Sequence, residues 1–362
     1  MKLRRVSYAA AGVSLARARR VKARIRRLAR RTLTRGVLAP SVRTGRAELG
    51  HFGALYALDP KRWRQPVLVT SVDGVGTKLK LAFQMKRHDT VGADLVNHCV
   101  NDIAVQGAAP LFFLDYIASG KLQPAVLAEV VAGITRACRA ASVALVGGET
   151  AEMPGFYAPG EYDLVGFIVG VVERKKLLDA RRVRAGDLLL GLASTGLHTN
   201  GYALARKLLF DVARLTPHSY VPELRNRLGP ELLKPHRCYY PAMKPLIARG
   251  WLSAAAHITG GGLTENIPRV LPRNCGAEVH LDRWRPLPIF RLLEKLGRLP
   301  RKEMLRTFNL GIGMVLIVPP RHLARVEASL RQHRQRFYRI GQVVRRPARR
   351  AGPRVLYRGH WQ

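Results

Sequence analysis

An α/β fold of two domains is what this sequence predicts, and three observations predict it. Strand-like apolar runs alternate with helical patterns in both halves of the chain. At 362 residues the chain is too long for one comfortable core. Glycine-rich turns sit where apolar strands end, as where the run 66–70 empties into Asp73-Gly74-Val75-Gly76-Thr77-Lys78. Hydrophobic content of 47% is enough to build cores, and no run of eighteen or more apolar residues points to a membrane span.

Residues 1–35 read as an extended start and a basic helix, with Val21, Ile25 and Leu28 at i, i+4 and i+7 forming its apolar stripe. The loop 36–52, with Pro40, Gly45 and Gly50, reads as mobile. Strand signals at 67–71, 109–116, 143–146 and 165–172, with helices near 94–106 and 124–141, give an α/β domain ending near Glu173. The charged stretch 174–184 leads to Gly186-Asp187 and a buried strand at 188–192. Helices follow near 201–211, 241–249 and 264–270, then a strand at 311–318, a helix near 321–335 and a strand at 337–344. Past Arg345 the tail is basic, with Pro and Gly, and is expected to be loosely ordered. No internal repeat is visible.

A formal charge of +38 far exceeds the magnitude of about 2–8 that suffices for the solubility of a small domain. Residues 1–47 contain no acid, while Arg17, Arg19, Arg20, Lys22, Arg24, Arg26, Arg27, Arg30 and Arg31 recur; Arg345, Arg346, Arg349, Arg350 and Arg354 repeat the pattern in the tail. Non-specific polyanion binding through these basic termini follows by counterion release, without any RNA-binding signature. An acid-free, Arg-rich start also fits a transit peptide, the lesser reading here. Cys99, Cys138, Cys238 and Cys275 lie far apart with no CxxC, as reduced thiols of a cytoplasmic protein do.

The chemistry concentrates in residues 70–121. Glycines let a backbone approach a polyphosphate, and carboxylates meet phosphate only through a cation such as Mg²⁺. Asp73 and Asp102 are therefore read as Mg²⁺-bridged phosphate ligands, with Asp94 as a further metal ligand and Asn101 beside them. Gly74 and Gly76 supply amides, Thr77 a hydroxyl, and Lys78 stabilises charge on a transferring group. The competing reading of each aspartate is an N-cap or a buried ion-pair partner. Glu149 follows two glycines at a strand end, where ligands gather in open α/β sheets; it reads as a metal ligand, a general base or a turn residue. His198, on the turn Ser194-Thr195-Gly196-Leu197-His198-Thr199-Asn200, reads as binding substrate phosphate or moving a proton, with Asn200 beside it. Thr259, Gly260, Gly261 and Gly262 read as a second anion cradle, for a ribose 5-phosphate or a nucleotide phosphate.

These segments, together with Gly147-Gly148-Glu149-Thr150-Ala151-Glu152-Met153-Pro154-Gly155, the stretch from His257 to Pro268, and Arg306-Thr307-Phe308-Asn309-Leu310-Gly311-Ile312-Gly313-Met314, resemble the phosphoribosylformylglycinamidine cyclo-ligase (aminoimidazole ribonucleotide synthetase) family, in its order and with similar spacing from about Ser7 to Val343. The resemblance implies a homodimer whose N-terminal domains contribute strands to a shared β-barrel, a C-terminal mixed-sheet domain, and a small-molecule substrate, formylglycinamidine ribonucleotide. It implies ATP and Mg²⁺ as cofactors: ATP converts the formyl oxygen into a phosphate ester, an internal nitrogen attacks, and ADP and phosphate leave. The expected organisation is a basic helix and glycine-containing lid over 1–53, an ATP-binding and dimerisation domain over 54–173, a C-terminal domain over 174–344 and a basic tail over 345–362. The chain departs from the family's SYxDAGVD start, having Ala10 and Ser14 in place of both acids. It has Arg26 for a frequent lysine, Gly50-His51-Phe52-Gly53 for the lid GGFG, and Ala109 for a glutamate. Lid closure and substrate affinity are the functions these departures touch. Alternatives are a selenophosphate synthetase-like or thiamine-monophosphate kinase-like enzyme, or a non-catalytic basic polyanion-binding protein on this scaffold.

Overall fold

The computed structural model describes residues 11–38, 53–347 and 352–361. The chain divides into two compact units, one of Met1–Arg64, Thr70–Cys99 and Pro110–Gly170, the other of Gln65–Val69, Val100–Ala109 and Val171–Gln362.

In the first unit, helix α1 (Leu15–Ala29) begins at Ser14, whose hydroxyl accepts the Arg17 N–H at 3.3 Å. Ser14 thus caps the helix as serine commonly does. The two-residue strands β1 (Val37–Leu38) and β2 (Leu55–Tyr56) pair antiparallel. Four long strands, β3 (Pro66–Gly74), β4 (Ala109–Ser119), β5 (Ala144–Glu152) and β6 (Tyr162–Glu173), form a sheet in the order β3-β6-β4-β5, with β4 and β5 parallel. The helices are α2 (Leu79–Met85), α3 (Asp89–Ala104), whose residues from Val100 on belong to the second unit, and α4 (Pro124–Ala141), and α1 lies against α4. Pro at the first position of α4 and Ser142 in a left-handed cap at φ 57° fix its ends. Helices α3 and α4 touch backbone to backbone: a Cβ on Gly92 would stand 2.0 Å from the Val130 carbonyl, and one on Gly133 1.9 Å from that of Asp89. No side chain fits at either position.

The second unit centres on a six-stranded sheet. Its elements in chain order are β7 (Leu188–Ala193), α5 (Tyr202–Arg206) running into a π-helical turn at Lys207–Val212, the ribbon of β8 (Tyr220–Val221) and β9 (Asn226–Arg227), α6 (Leu228–Leu232), α7 (Tyr240–Ala248), β10 (Ala254–His257), α8 (Gly262–Asn266), β11 (Cys275–His280), α9 (Pro288–Gly297), α10 (Arg301–Thr307), β12 (Ile312–Val318), α11 (Leu323–Gln332), β13 (Phe337–Arg345) and β14 (Val355–Arg358). The strand order is β10-β12-β7-β13-β11-β14, antiparallel throughout except for the parallel pair β11 and β14. Every residue of β12 is buried, which is why it reads as a continuous apolar run rather than an alternating one.

Several expectations need correcting. The basic tail is not loose over Val355–Arg358, where main-chain pairing to β11 makes it a sheet strand. The strand expected at 143–146 continues through Gly147-Gly148-Glu149 to Glu152, so Glu149 lies within a strand and not on a turn after one. The 201–211 helix is α-helical only to Arg206. Ser7–Ala10, residues 50–52 of the lid and most of the 36–52 loop lie outside the described residues.

Candidate functional site

In the first unit, β3 delivers Asp73 at its end and the chain turns through Gly74, Val75 and Gly76 into a 3-10 turn at Gly76–Lys78. Gly76 stands at φ +63°, a conformation that favours glycine, and it and Thr77 are exposed. The Asp73 side chain is 33% exposed, and its carboxylate stands 3.3 Å from Nε2 of His98, which is only 5% exposed. Lys78 turns the other way. Its Nζ lies 2.7 Å from the Asp94 carboxylate, and both side chains are fully buried. Burial pushes the Lys78 ammonium below its ordinary value, while the charge of Asp94 and a hydrogen bond to it pull in the opposite direction. These two residues, expected at the phosphates and the metal, bind each other behind the glycine turn.

The glycine pair before Glu149 has a packing cause. A Cβ on Gly148 would sit 2.2 Å from the Asp115 carbonyl and 2.4 Å from its carboxylate oxygen. Asp115 is buried on β4, and burial raises its carboxyl to about 7. Glu149 itself is exposed, with a carboxylate oxygen accepting the Thr150 N–H at 3.1 Å. Glu152, from the same motif, is consumed structurally: it accepts the Ser14 and Leu122 N–H groups at 2.9 Å each and the Arg17 guanidinium at 2.8 Å.

In the second unit, Asp102 accepts a hydrogen bond from Nδ1 of His257 at 2.7 Å; the aspartate side chain is 25% exposed and the histidine 3%. The chain of contacts continues inward. Nε2 of His257 meets Nε2 of His236 at 3.0 Å, and Nδ1 of His236 meets the Thr199 hydroxyl at 3.3 Å. Asn101 is oriented by the Tyr239 N–H, which its side-chain carbonyl accepts at 2.8 Å, while its amide nitrogen donates to the Arg237 carbonyl at 2.8 Å and faces His236 Nε2 at 3.2 Å. Asn101 is thus fully buried, with its side chain turned to the main chain at Tyr239 and Arg237.

His198 is 1% exposed and stacks on His236 with ring centroids 4.1 Å apart. Its Nε2 accepts the Thr195 N–H at 3.2 Å, and its φ of 62° lets the turn fold over. Gly313 makes room, since a Cβ there would stand 2.5 Å from the His198 ring. Asn309 locks the same turn, donating to the Gly196 carbonyl at 2.9 Å and accepting from the Ser194 hydroxyl at 3.0 Å.

The second glycine loop is shaped from inside. The Asn266 amide donates to the carbonyls of Gly260 at 3.0 Å and Gly262 at 2.9 Å, which ties them back. Gly262, at φ +58°, lies so close to α10 that a Cβ would stand 2.1 Å from the Leu305 carbonyl. Gly260 is exposed, and the nearest atom to a Cβ there is Nδ2 of Asn200 at 3.8 Å, so Asn200 and this loop adjoin. Sequence reading missed His236, His257 and Asn266 as individual residues. His257 and Asn266 carried a signal, because both flank the glycines; His236, in Pro235-His236-Arg237, carried none.

Two family matches cover most of the chain: residues 55–172 match AIR synthase related protein, N-terminal domain, and residues 184–351 match AIR synthase related protein, C-terminal domain. The phosphoribosylformylglycinamidine cyclo-ligase of Syntrophotalea carbinolica is 51% identical over 86% of this chain and 89% of that protein. That of Alkaliphilus metalliredigens is 45% identical over 95% and 97%. Among solved structures, thiamine-monophosphate kinase from Stenotrophomonas maltophilia superposes with a TM-score of 0.66 at 20% identity, over 92% of this chain and 95% of that one. The hydrogenase maturation protein HypE in complex with ATP gives 0.58 at 20% identity, over 85% and 84%. The structural likenesses establish a shared fold, and the identities establish descent: the chain belongs to the phosphoribosylformylglycinamidine cyclo-ligase family.

Proposed function

We propose that the protein closes the imidazole ring of aminoimidazole ribonucleotide from formylglycinamidine ribonucleotide, with ATP converted to ADP and phosphate. The observation that carries this reading is the pair of partly exposed carboxylates, Asp73 and Asp102, each backed in its own unit by a buried histidine. Oxygen leaves poorly as hydroxide and well as phosphate. ATP therefore phosphorylates the formyl oxygen, an internal amidine nitrogen attacks that carbon, the carbon–oxygen bond breaks with release of phosphate, and the nitrogen loses its proton. Such a reaction calls for positioning and charge neutralisation more than for covalent protein chemistry.

Hard carboxylate oxygens suit Mg²⁺, and of the three aspartates read as its ligands Asp73 and Asp102 keep surface to offer it; Asp94, paired to Lys78, does not. Bound Mg²⁺ would neutralise phosphate charge. The residues of the chain do the rest: Gly74, Gly76 and Thr77 present amides and a hydroxyl to phosphate, and the 259–262 loop with Asn200 cradles a second phosphate. His98 and His257 hold the two carboxylates in orientation, while Lys78, Asn101 and His198 act as braces. Glu149 is the exposed carboxylate left for a substrate amine or water.

Homodimerisation is supported by β3 and β6, which leave Leu68, Val72 and Phe167 exposed on the sheet. The described cysteines are all free, and among the described residues no helix is long and apolar enough to cross a membrane; both facts fit the cytoplasmic location we propose. Exposed Arg19, Arg20, Arg24, Arg26 and Arg27 on α1 support weak, salt-sensitive association with polyanions. The deciding experiment is a coupled assay for aminoimidazole ribonucleotide with and without Mg²⁺, run against selenide and thiamine monophosphate as competing substrates. ADP release that depends on formylglycinamidine ribonucleotide alone is expected. Release driven by either competitor, or by none of the three, would overturn the reading.

A further inference from the structure

We infer that Tyr357 and Arg354, on and beside the C-terminal strand β14, are positioning residues that hold the 259–262 loop in the shape that receives a substrate phosphate. The inference rests on the reading of that loop as a phosphate cradle. Strand β14 lies beyond residues 184–351, the part matched by the C-terminal family domain.

Gly260, Gly261 and Gly262 bring no side chains with which to fix their own conformation, and glycine loses the most backbone freedom on ordering. The shape of the loop must be imposed by neighbours. Asn266 does so from within, and the C-terminal segment does so from outside. The Thr264 hydroxyl donates to the Leu305 carbonyl at 3.2 Å, so its oxygen accepts from the Tyr357 hydroxyl at 2.8 Å. Burial pushes that hydroxyl up to about 12, so it remains a donor at neutral pH. The Arg354 guanidinium donates to the carbonyls of Pro268 at 3.1 Å, Leu271 at 2.9 Å, Pro272 at 2.6 Å and Cys275 at 3.2 Å. The turn that continues α8 is thereby clamped at both ends. Register with β11, where Val355 faces Ala277 and Tyr357 faces Val279, sets the height at which both side chains reach it.

The test is steady-state kinetics on the full chain, with KM measured separately for ATP and formylglycinamidine ribonucleotide. Tyr357→Phe removes one hydroxyl and should raise the KM of one of the two about threefold to tenfold, the range of a single hydrogen bond, with kcat within about twofold. Thr264→Val should raise the same KM, and the double variant should add nothing further. Arg354→Lys keeps the charge but loses the planar fork and should act in the same direction. Gly260→Ala has room for its methyl and separates the two readings. If it leaves both KM values unchanged, the cradle fails and the inference with it. If it raises one while Tyr357→Phe lowers only the melting temperature, the cradle stands and the positioning role is overturned.

Discussion

Aspartates in this molecule meet their surroundings in contrasting ways. Asp94 and Lys78 bury one another completely, whereas Asp73 and Asp102 keep part of their surface in solvent and the bases behind them, His98 and His257, are buried. Taking a carboxylate and an ammonium out of water together costs several kcal/mol per ion, which only close contact offsets. Such a pair has little left to give a ligand and serves as a brace beneath the glycine turn. A half-exposed carboxylate held by a buried imidazole remains hydrated, so exchanging that water for a cation costs far less. Asp115 is a third case, buried with desolvation as the dominant influence, and its carboxyl rises instead. The same functional group is a strut, an offered ligand or a proton holder according to what shares its burial.

The contrast is broken most severely by Lys78→Met. Leaving Asp94 buried and unpaired is expected to cost about 3–5 kcal/mol of stability, read as a large fall in denaturation midpoint. Lys78→Met combined with Asp94→Leu should recover most of it; a single variant as stable as the wild type would mean that the pair is not a brace. The offered carboxylates should respond oppositely. Asp73→Asn and Asp102→Asn should each lower kcat by at least about a hundredfold, with circular dichroism and melting temperature close to wild type. Near-normal turnover in both would remove them from the site.

That contrast also explains what the sequence could show. Residue type and spacing put Asp73 and Asp102 first and Asp94 beside them as a further metal ligand, because all three lie in one motif-rich stretch. What separates them is which base folds behind each. Lys78 lies sixteen positions from Asp94, but His257 is 155 from Asp102, a pairing no local pattern encodes. The fold was legible wherever periodicity was strong: α4 begins and ends at 124 and 141 as the pattern placed it. Strands β10 and β11 went unseen because they are short, alanine-rich or glycine-containing, and α9 and α10 because a run of arginines and prolines blurs their stripes. β14 was hidden for another reason. A four-residue strand amid Arg, Gly and Pro has no signal of its own, and its partner β11 creates it. Ser14 shows the converse: an acid lost from the family's start is replaced by a hydroxyl that caps α1 equally well.

Asp115→Asn sharpens the third case through pH. The folded carboxyl titrates near 7 and the unfolded one near 3.8, so the folded state holds the extra proton between those values. Stability should therefore be greatest at the acid end of that window and fall as pH rises through it, by roughly 2 kcal/mol once local relaxation softens the burial penalty. Asparagine cannot titrate, and the variant's melting temperature should lose this slope. An identical slope in variant and wild type would assign it to other groups.

The smallest effect belongs to Glu152, which is spent on structure without being paired as tightly as Asp94. Partial burial pushes its carboxyl up, but the Ser14 and Leu122 N–H groups and the Arg17 guanidinium outweigh that and hold it below the ordinary carboxylate range. A depressed carboxyl contributes stability above its unfolded value and loses it as pH falls through the folded one, so the start of α1 should loosen only below about pH 4.5. Glu152→Gln keeps the size and two acceptor contacts but not the charge, and should cost about 1 kcal/mol. Hydrogen exchange is the sensitive readout: amides in the first turns of α1 should exchange faster in the variant at neutral pH, and wild type should approach the variant's rates, corrected for intrinsic exchange, only in acid. Unchanged protection at both pH values would show that the capping hydroxyl of Ser14 and the packing against α4 hold the helix without Glu152.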